Sequence, residues 1–371
     1  MLTRRAFATR LGAALAAGRM LPEMAYAQRA LIPGDLPKDM IWLNANENPA
    51  GPPKSSIEAM ANVLPSSWQY HYQEVGTYYE ALARSEDLQA ENILAGSGSS
   101  EMLHAAVCAF TAPDRPMITM YPTFEGPPEL TRALGHPVVP VPLTADYAAD
   151  VRKIAEEAAK AHGGLIYICN PNNPTSSITR KADMAWLIEN LPPDTVVLVD
   201  EAYIHFSESE QLESALPYVR QGKPVVVART FSKIYGMAGV RAGFVCARPD
   251  LIGRMRPFRN NVLSVIAMRA TLAALADSRT LVPERRAAIA RQRKQLCAWL
   301  TERNIGYIEP HANFIMIDVG RDAHEFIAKM PRMGVAVGRP FPPLDHMLRV
   351  SIGTEPDMQK FREVFWQVYK G

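Results

Sequence analysis

Lys233 follows a run of three valines, Val225 to Val227, and precedes a turn that contains Gly236. It reads as an amine delivered at the end of a β-strand. Ser232 stands immediately before it and Arg241 eight positions after it. An amine flanked by a hydroxyl and a guanidinium suits an aldehyde held through a phosphate. The lysine would condense with the carbonyl while Ser232 and Arg241 take the phosphate oxygens. Read alone the segment has a plainer meaning too, because Ser-Lys pairs and surface lysines are common.

Further motifs repeat the theme in a fixed order. Gly96-Ser-Gly-Ser-Ser100 precedes a helical pattern, where backbone N–H groups and hydroxyls can receive a phosphate. It lacks the G-x-G-x-x-G spacing of a dinucleotide site. Phe124, in Pro122-Thr-Phe124, offers a face on which a flat ring can stack, although a lone Phe is more often core. Asn170-Pro-Asn-Asn-Pro-Thr175 is a loop stiffened by two prolines, and Asn173 can offer an amide to a phenolate oxygen. Asp200, in Val199-Asp-Glu-Ala-Tyr203, ends an apolar run. A carboxylate there carries a desolvation cost unless it meets a cation, and a pyridinium nitrogen would be that cation. Such a pair keeps a ring electron-withdrawing, as stabilising a carbanion requires. Tyr203 can donate to a phenolic oxygen of the same ring. Arg349, on a short strand pattern, has the fork that captures a carboxylate bidentately; alone it could equally be a surface arginine.

These residues need a frame. From about residue 90 the sequence alternates short apolar strands with amphipathic helices. Helices are expected at Ser100–Phe110, Ala148–His162 and Arg180–Glu189. Strands are expected at Pro116–Met120, Leu165–Cys169, Thr195–Val199, Pro224–Ala228 and Ala242–Cys246. This pattern predicts an α/β fold with a mostly parallel sheet covered on both faces. Ligands then sit at the carboxyl ends of the strands, where Asn170, Asp200 and Lys233 fall. A long charged helix from Pro283 to Asn304 changes the texture. A strand (Phe314–Val319), a helix (Ala323–Met330), two short strands (Val335–Val337, Leu348–Ile352) and a closing helix from Pro356 follow, suggesting a second, smaller α/β domain. The Pro-rich arm is expected to pack against it.

Composition excludes several classes. With 371 residues the chain can bury a large core. A net charge of +2 leaves no nucleic-acid footprint. No apolar run reaches the roughly 20 residues of a membrane span. Cys108, Cys169, Cys246 and Cys297 have no C-x-x-C spacing and are expected as buried free thiols. The eight histidines show no paired-ligand spacing, so no metal is expected. Thr3-Arg4-Arg5-Ala6-Phe7, the weakly apolar Leu11–Gly18 and Ala25-Tyr26-Ala27 form a twin-arginine (Tat) export pattern over residues 1–27. That route carries folded proteins, so a cofactor loaded in the cytoplasm would travel with the protein to the periplasm.

Taken together, LNANENP, GSGSSE, PTF, NPNNPT, DEAY, RTFSK…GMAGVRAGF, NF at 313–314 and LRVSIGT run from about 43 to 354. The chain resembles the fold type I pyridoxal phosphate-dependent class I/II aminotransferases, most of all their histidinol-phosphate aminotransferase branch. The resemblance implies an arm at 28–60, a large cofactor-binding domain at 61–280 and a small domain at 281–371. It also implies pyridoxal 5'-phosphate, with Lys233 as Schiff-base lysine and proton shuttle, Asp200 on the ring nitrogen and Asn173 and Tyr203 on the phenolic oxygen. Phe124 would stack on the ring, and Ser99, Ser100, Ser232 and Arg241 would hold the phosphate. Tyr70, or failing that Tyr72, would reach the phosphate of a partner subunit, which implies a homodimer. Arg349 and Asn46 would hold the substrate. The reaction implied is ping-pong transamination between an amino acid and a 2-oxo acid.

Three departures bear on substrate. Ser176 stands where the family usually has Gly, which would reshape its loop. Gly338 stands where histidinol-phosphate enzymes usually place an arginine for the substrate's phosphate, with Arg339 one residue on. If the strand continued there, Arg339 would face the opposite side. Ala50 replaces an aromatic often found after Asn-Pro. These favour an unphosphorylated amino acid. The same residues would also serve an oxidase or deaminase, a β-lyase or a racemase, or a non-catalytic ligand-binding relative.

Overall fold

In the computed structural model of the chain, residues 37, 39–259 and 262–371 are described; the Tat pattern at 1–27 lies outside them. The described chain begins with β1 (Ile41–Leu43), α1 (Lys54–Val63) and α2 (Val75–Ser85). It continues through β2 (Ile93–Gly96), α3 (Ser99–Phe110), β3 (Met117–Tyr121), α4 (Gly126–Ala133), β4 (Val138–Pro142), α5 (Val151–Lys160) and β5 (Gly164–Cys169). Next come α6 (Lys181–Glu189), β6 (Thr195–Asp200), α7 (Leu216–Arg220), β7 (Val225–Thr230) and β8 (Gly243–Cys246). Then follow α8 (Pro249–Met255), α9 (Val265–Ala276), α10 (Ser278–Thr301), β9 (Phe314–Asp318), α11 (His324–Lys329), β10 (Val335–Val337), β11 (Met347–Ser351) and α12 (Glu355–Lys370).

Seven strands form one sheet in the order β2-β8-β7-β6-β5-β3-β4. Only β8 runs antiparallel to its neighbours. The central strands are buried along their whole length, and successive residues pack on opposite faces. Leu165, Tyr167, Val196 and Leu198 join α3 and α8 in one apolar cluster, while Ile166, Ile168, Val197 and Val199 meet α5 and α6 in the other. Each fully buried aliphatic side chain contributes roughly 1.5–3 kcal/mol. Such rows hold the strand ends rigid, and the polar loops hang from them.

β4 was not among the expected strands. It contains Pro140 and Pro142, which argue against a strand, yet it sits at the sheet edge, where a missing N–H breaks no ladder. β2 is likewise an edge strand, of four residues, and was also missed. The long charged helix begins at Ser278, ahead of Pro283, which lies inside it.

Beyond α10 the chain forms a β9–β11 antiparallel pair and a parallel pair of β1 with β10, with Ile41 opposite Val335. The arm strand is therefore tied to the C-terminal part of the chain. α1 instead packs on α9, where Ser56 Oγ donates to Ala270 O over 2.8 Å. All four cysteines are free; Cys169 and Cys246 are buried, but Cys108 and Cys297 are only half-buried, contrary to expectation.

Candidate active site

Three neighbouring strands deliver three polar groups at their carboxyl ends. β5 runs into the Asn170–Thr175 loop, β6 ends on Asp200, and β7 leads to Lys233 two residues past Phe231. Asp200 is buried. Its Oδ1 accepts from the Ala202 N–H at 3.1 Å, and its Oδ2 from the Tyr167 hydroxyl at 3.3 Å. Burial pushes its carboxyl up to about 6, against the pull of those two hydrogen bonds and of the Lys233 charge. Among the described residues no lysine or arginine pairs with it directly.

Lys233 Nζ donates to the backbone carbonyls of Ala45 and Asn46 at 3.3 and 3.2 Å. Desolvation, helped by the charges of Arg349 and Arg241, lowers its ammonium to about 8; Glu47 and Asp200 oppose the shift. An amine tuned close to neutrality can act both as nucleophile and as proton carrier. The Nζ lies 5.5 Å from the centre of the Tyr203 ring. Burial raises the Tyr203 hydroxyl well above its ordinary value, and Asn46 Nδ2 donates to it at 3.2 Å.

An anion cradle lies beside this cluster. α3 starts at Ser99 and among the described residues no side chain caps its N-terminus, so its first N–H groups, those of Ser99 and Ser100 included, are oriented for an acceptor. Gly98 before it has φ +82°, and a β-carbon there would run into the Arg241 guanidinium. Arg241 Nη1 donates to Ser232 Oγ at 3.4 Å, and Nη2 to Ser97 O at 3.4 Å. Gly243 allows β8 to press against the Ser99 N–H, where any side chain would collide. A helix N-terminus, a guanidinium and a serine hydroxyl thus converge.

Arg349, buried on β11, donates through Nη1 to Asn173 Oδ1 at 2.6 Å and through Nη2 to Asn44 O at 2.8 Å. Among the described residues its Nε has no partner, and burial lowers its guanidinium to about 10. The contact leaves the Asn173 amide nitrogen to donate elsewhere. Asn46, with φ +55°, is fixed by Ser351, whose Oγ accepts from the Asn46 N–H at 2.8 Å and donates to its Oδ1 at 3.2 Å. Asn313 Nδ2 reaches the Asn46 carbonyl at 3.1 Å. Phe124 is half-buried in the loop after β3. That loop is tied to the Asn173 loop by Thr123 Oγ1 on Asn172 Oδ1 (2.8 Å) and Asn172 Nδ2 on Pro122 O (3.1 Å).

Most of the sequence-derived residues therefore converge. Tyr70 and Tyr72 do not; they are 63% and 61% exposed, with ring centres 5.3 Å apart, outside the cluster of their own chain. Tyr167, Asn44 and Phe341 were missed. A tyrosine inside the buried run Gly164–Cys169 was the one available signal for Tyr167, since its hydroxyl had to find a partner.

Two expectations change. Ser176 does not reshape its loop. It takes φ +62°, the conformation a glycine would adopt, and its Oγ accepts from the His311 and Ala312 N–H groups at 3.1 and 2.9 Å, which offsets the strain. Arg339 does not turn to the opposite face, because β10 stops at Val337 and strand alternation ends there. Gly338 lies against the Arg349 backbone, with no room for a side chain. The Arg339 guanidinium lies 4.3 Å from the centre of the Phe341 ring, which Arg349 approaches to 4.4 Å.

The comparisons agree with this geometry. Residues 38–365 match the family model described as aminotransferase class I and II. The chain is 36% identical to a histidinol-phosphate aminotransferase of Symbiobacterium thermophilum over 88% of this chain and 89% of that protein. It is 31% identical to an aromatic amino acid aminotransferase of Thermobifida fusca, covering 87% and 88%. Its fold superposes on the histidinol-phosphate aminotransferase of Sinorhizobium meliloti in complex with pyridoxal-5'-phosphate with a TM-score of 0.84, at 25% identity and 95% coverage of both chains. The chain belongs to the class I and II aminotransferases, on their histidinol-phosphate aminotransferase-like branch, and is a pyridoxal phosphate-dependent enzyme of fold type I.

Proposed function

We propose that this enzyme moves an amino group from an unphosphorylated amino acid to a 2-oxo acid in a ping-pong cycle, with Lys233 as its reactive amine. One observation carries the reading. A lysine lowered to about 8 and a buried carboxylate without a direct cation lie beside an anion cradle and a buried arginine with an unpartnered Nε.

The residues fit pyridoxal phosphate. The cradle of Ser99, Ser100, Ser232 and Arg241 would take its phosphate, Asp200 its ring nitrogen, Asn173 and Tyr203 its phenolic oxygen, and Phe124 a ring face. When bound, the cofactor supplies the electron sink for breaking the substrate's Cα–H bond. Arg349 holds the substrate carboxylate and fixes which face of Cα meets Lys233. Lys233 Nζ takes the proton from the Cα of the donor amino acid and, in the second half-reaction, delivers one to the Cα of the 2-oxo acid, transfers favoured by its near-neutral pKa. Tyr167 and the Ala202 N–H keep Asp200 ionised. Asn46 positions the Tyr203 hydroxyl and lines the substrate side.

The reading extends to a homodimer in which Tyr70, with Tyr72 as second candidate, reaches the partner's phosphate cradle. The exposed Trp68, Tyr70 and Tyr72 support such an interface. We further propose the arm, large and small domains at 28–60, 61–280 and 281–371, and Tat-dependent export to the periplasm on the strength of Arg4-Arg5.

The test is a half-reaction. Holoenzyme mixed with one amino acid should lose its visible absorbance and release the matching oxo acid, and a second oxo acid should restore the band. Lys233→Ala should abolish both changes. Release of ammonia or peroxide instead would refute transamination.

A further inference from the structure

Arg339 sits near the substrate arginine but is already occupied. Its Nη2 pairs with Glu125 Oε1, its Nη1 donates to Pro340 O at 3.0 Å, and its guanidinium covers one part of the Phe341 ring. Arg349 approaches the same ring. Arg349 and Phe341 are buried, whereas the Arg339 and Glu125 side chains are 26% and 34% exposed, so the ion pair stands outward of the carboxylate anchor. Glu125 follows Phe124 directly and stands at the start of α4. Glu129 lies one turn further, and its carboxyl is raised by burial and then by the Glu125 charge. Glu125 thus pairs with the guanidinium, and Glu129 adds a second negative charge within its electrostatic reach.

An anionic group reaching Arg339 would have to displace Glu125, which would then be left beside Glu129 at a like-charged i,i+4 spacing. An uncharged side chain meets no such conflict. Behind the ion pair lies the buried Phe341 ring, which packs with Ile308, Met316, Leu344 and Met347 in an apolar cluster.

We propose that Glu125 is a specificity-determining residue: by holding Arg339 it closes the side-chain end of the substrate site to anionic groups and selects amino acids with uncharged apolar or aromatic side chains. The inference rests on the proposed role of Arg349 and deepens that reading.

The test compares holoenzyme with E125Q, R339Q and the E125Q/R339Q double variant. Two non-reacting carboxylates serve as probes, maleate with a second anion and 3-phenylpropionate with a ring, and their affinities are measured by calorimetry. Amino donors of both kinds are then compared by kcat/KM. E125Q should shift the maleate-to-phenylpropionate preference, and the matching kcat/KM ratio, toward the anion by about tenfold or more. The double variant should lose that shift. A preference unchanged within about threefold in E125Q, or a native enzyme that already favours the anionic probe, would overturn the proposal. The binding arm decides it without turnover. If phenylpropionate and maleate discriminate as expected while no donor discharges the cofactor, the transamination reading fails and this one stands.

Discussion

Replacing Asp200 by Asn should stabilise the cofactor-free protein while weakening its function. The Asp200 carboxyl is raised from its ordinary 3.8 to about 6 because burial outweighs the hydrogen bonds it receives. A group protonated more readily in the folded than in the unfolded state favours folding at low pH. That benefit is intact below about 3.8 and gone above about 6. Relative to the acid form, ionised Asp200 therefore costs the folded chain about two pKa units, or about 3 kcal/mol, at pH 7.5. Asn carries no charge, but it offers one acceptor where the Ala202 N–H and the Tyr167 hydroxyl both require one, which costs about 1 kcal/mol. The net expected gain is about 2 kcal/mol at pH 7.5, a rise of about 4–8 °C or less in a chain of this size. Thermal unfolding of cofactor-free native and D200N protein, followed by calorimetry at pH 7.5 and pH 4.5, measures it. The gain should shrink strongly at pH 4.5. Added pyridoxal phosphate should raise the midpoint of the native protein more than that of D200N. A D200N protein less stable than native at pH 7.5, or a gain independent of pH, would refute the reasoning.

Gly98→Ala should drive a methyl group into the Arg241 guanidinium at a backbone angle alanine resists, and cofactor affinity measured by spectral titration should fall about tenfold or more. Arg349→Lys keeps the charge but loses the fork, so kcat/KM for α-amino acids should drop by about 100-fold while the cofactor's absorbance is retained. Ser176→Ala keeps the left-handed strain and removes the acceptor of the Ala312 N–H, while the His311 N–H keeps the Ser176 carbonyl, and should destabilise the protein by about 1–2 kcal/mol in urea unfolding.

The central sheet was legible because its strands are short apolar runs that end in polar motifs, as at Val199–Asp200. Lys233, Asp200 and Tyr203 could be picked out because charged or hydroxyl groups at or just past the ends of buried strands need partners, and Arg349, in mid-strand, only through the LRVSIGT motif. Their mutual contacts were not legible. That Asn173 would meet Arg349, 176 residues away, follows from how β11 lies across from the β5 loop. Edge strand β4 escaped because its prolines contradict strand propensity and only its edge position permits them. Arg339 was misplaced because strand alternation was carried two residues beyond the end of β10. Cys297 and Cys108 were expected to be buried from apolar neighbours alone, but a helix buries only one stripe.

The ties of the arm also set an order of events during synthesis. Asn46 is held by Ser351, 305 residues later, and β1 finds its partner only when Val335–Val337 has been made. The ribosome thus releases the lysine, the aspartate and the anion cradle well before the carboxylate clamp can exist. Asn46, Tyr203 and Asn173 can reach their final contacts only after β11 has been made. Termination before Met347 would remove Arg349, the proposed carboxylate clamp, although every residue proposed for the cofactor would already have been made.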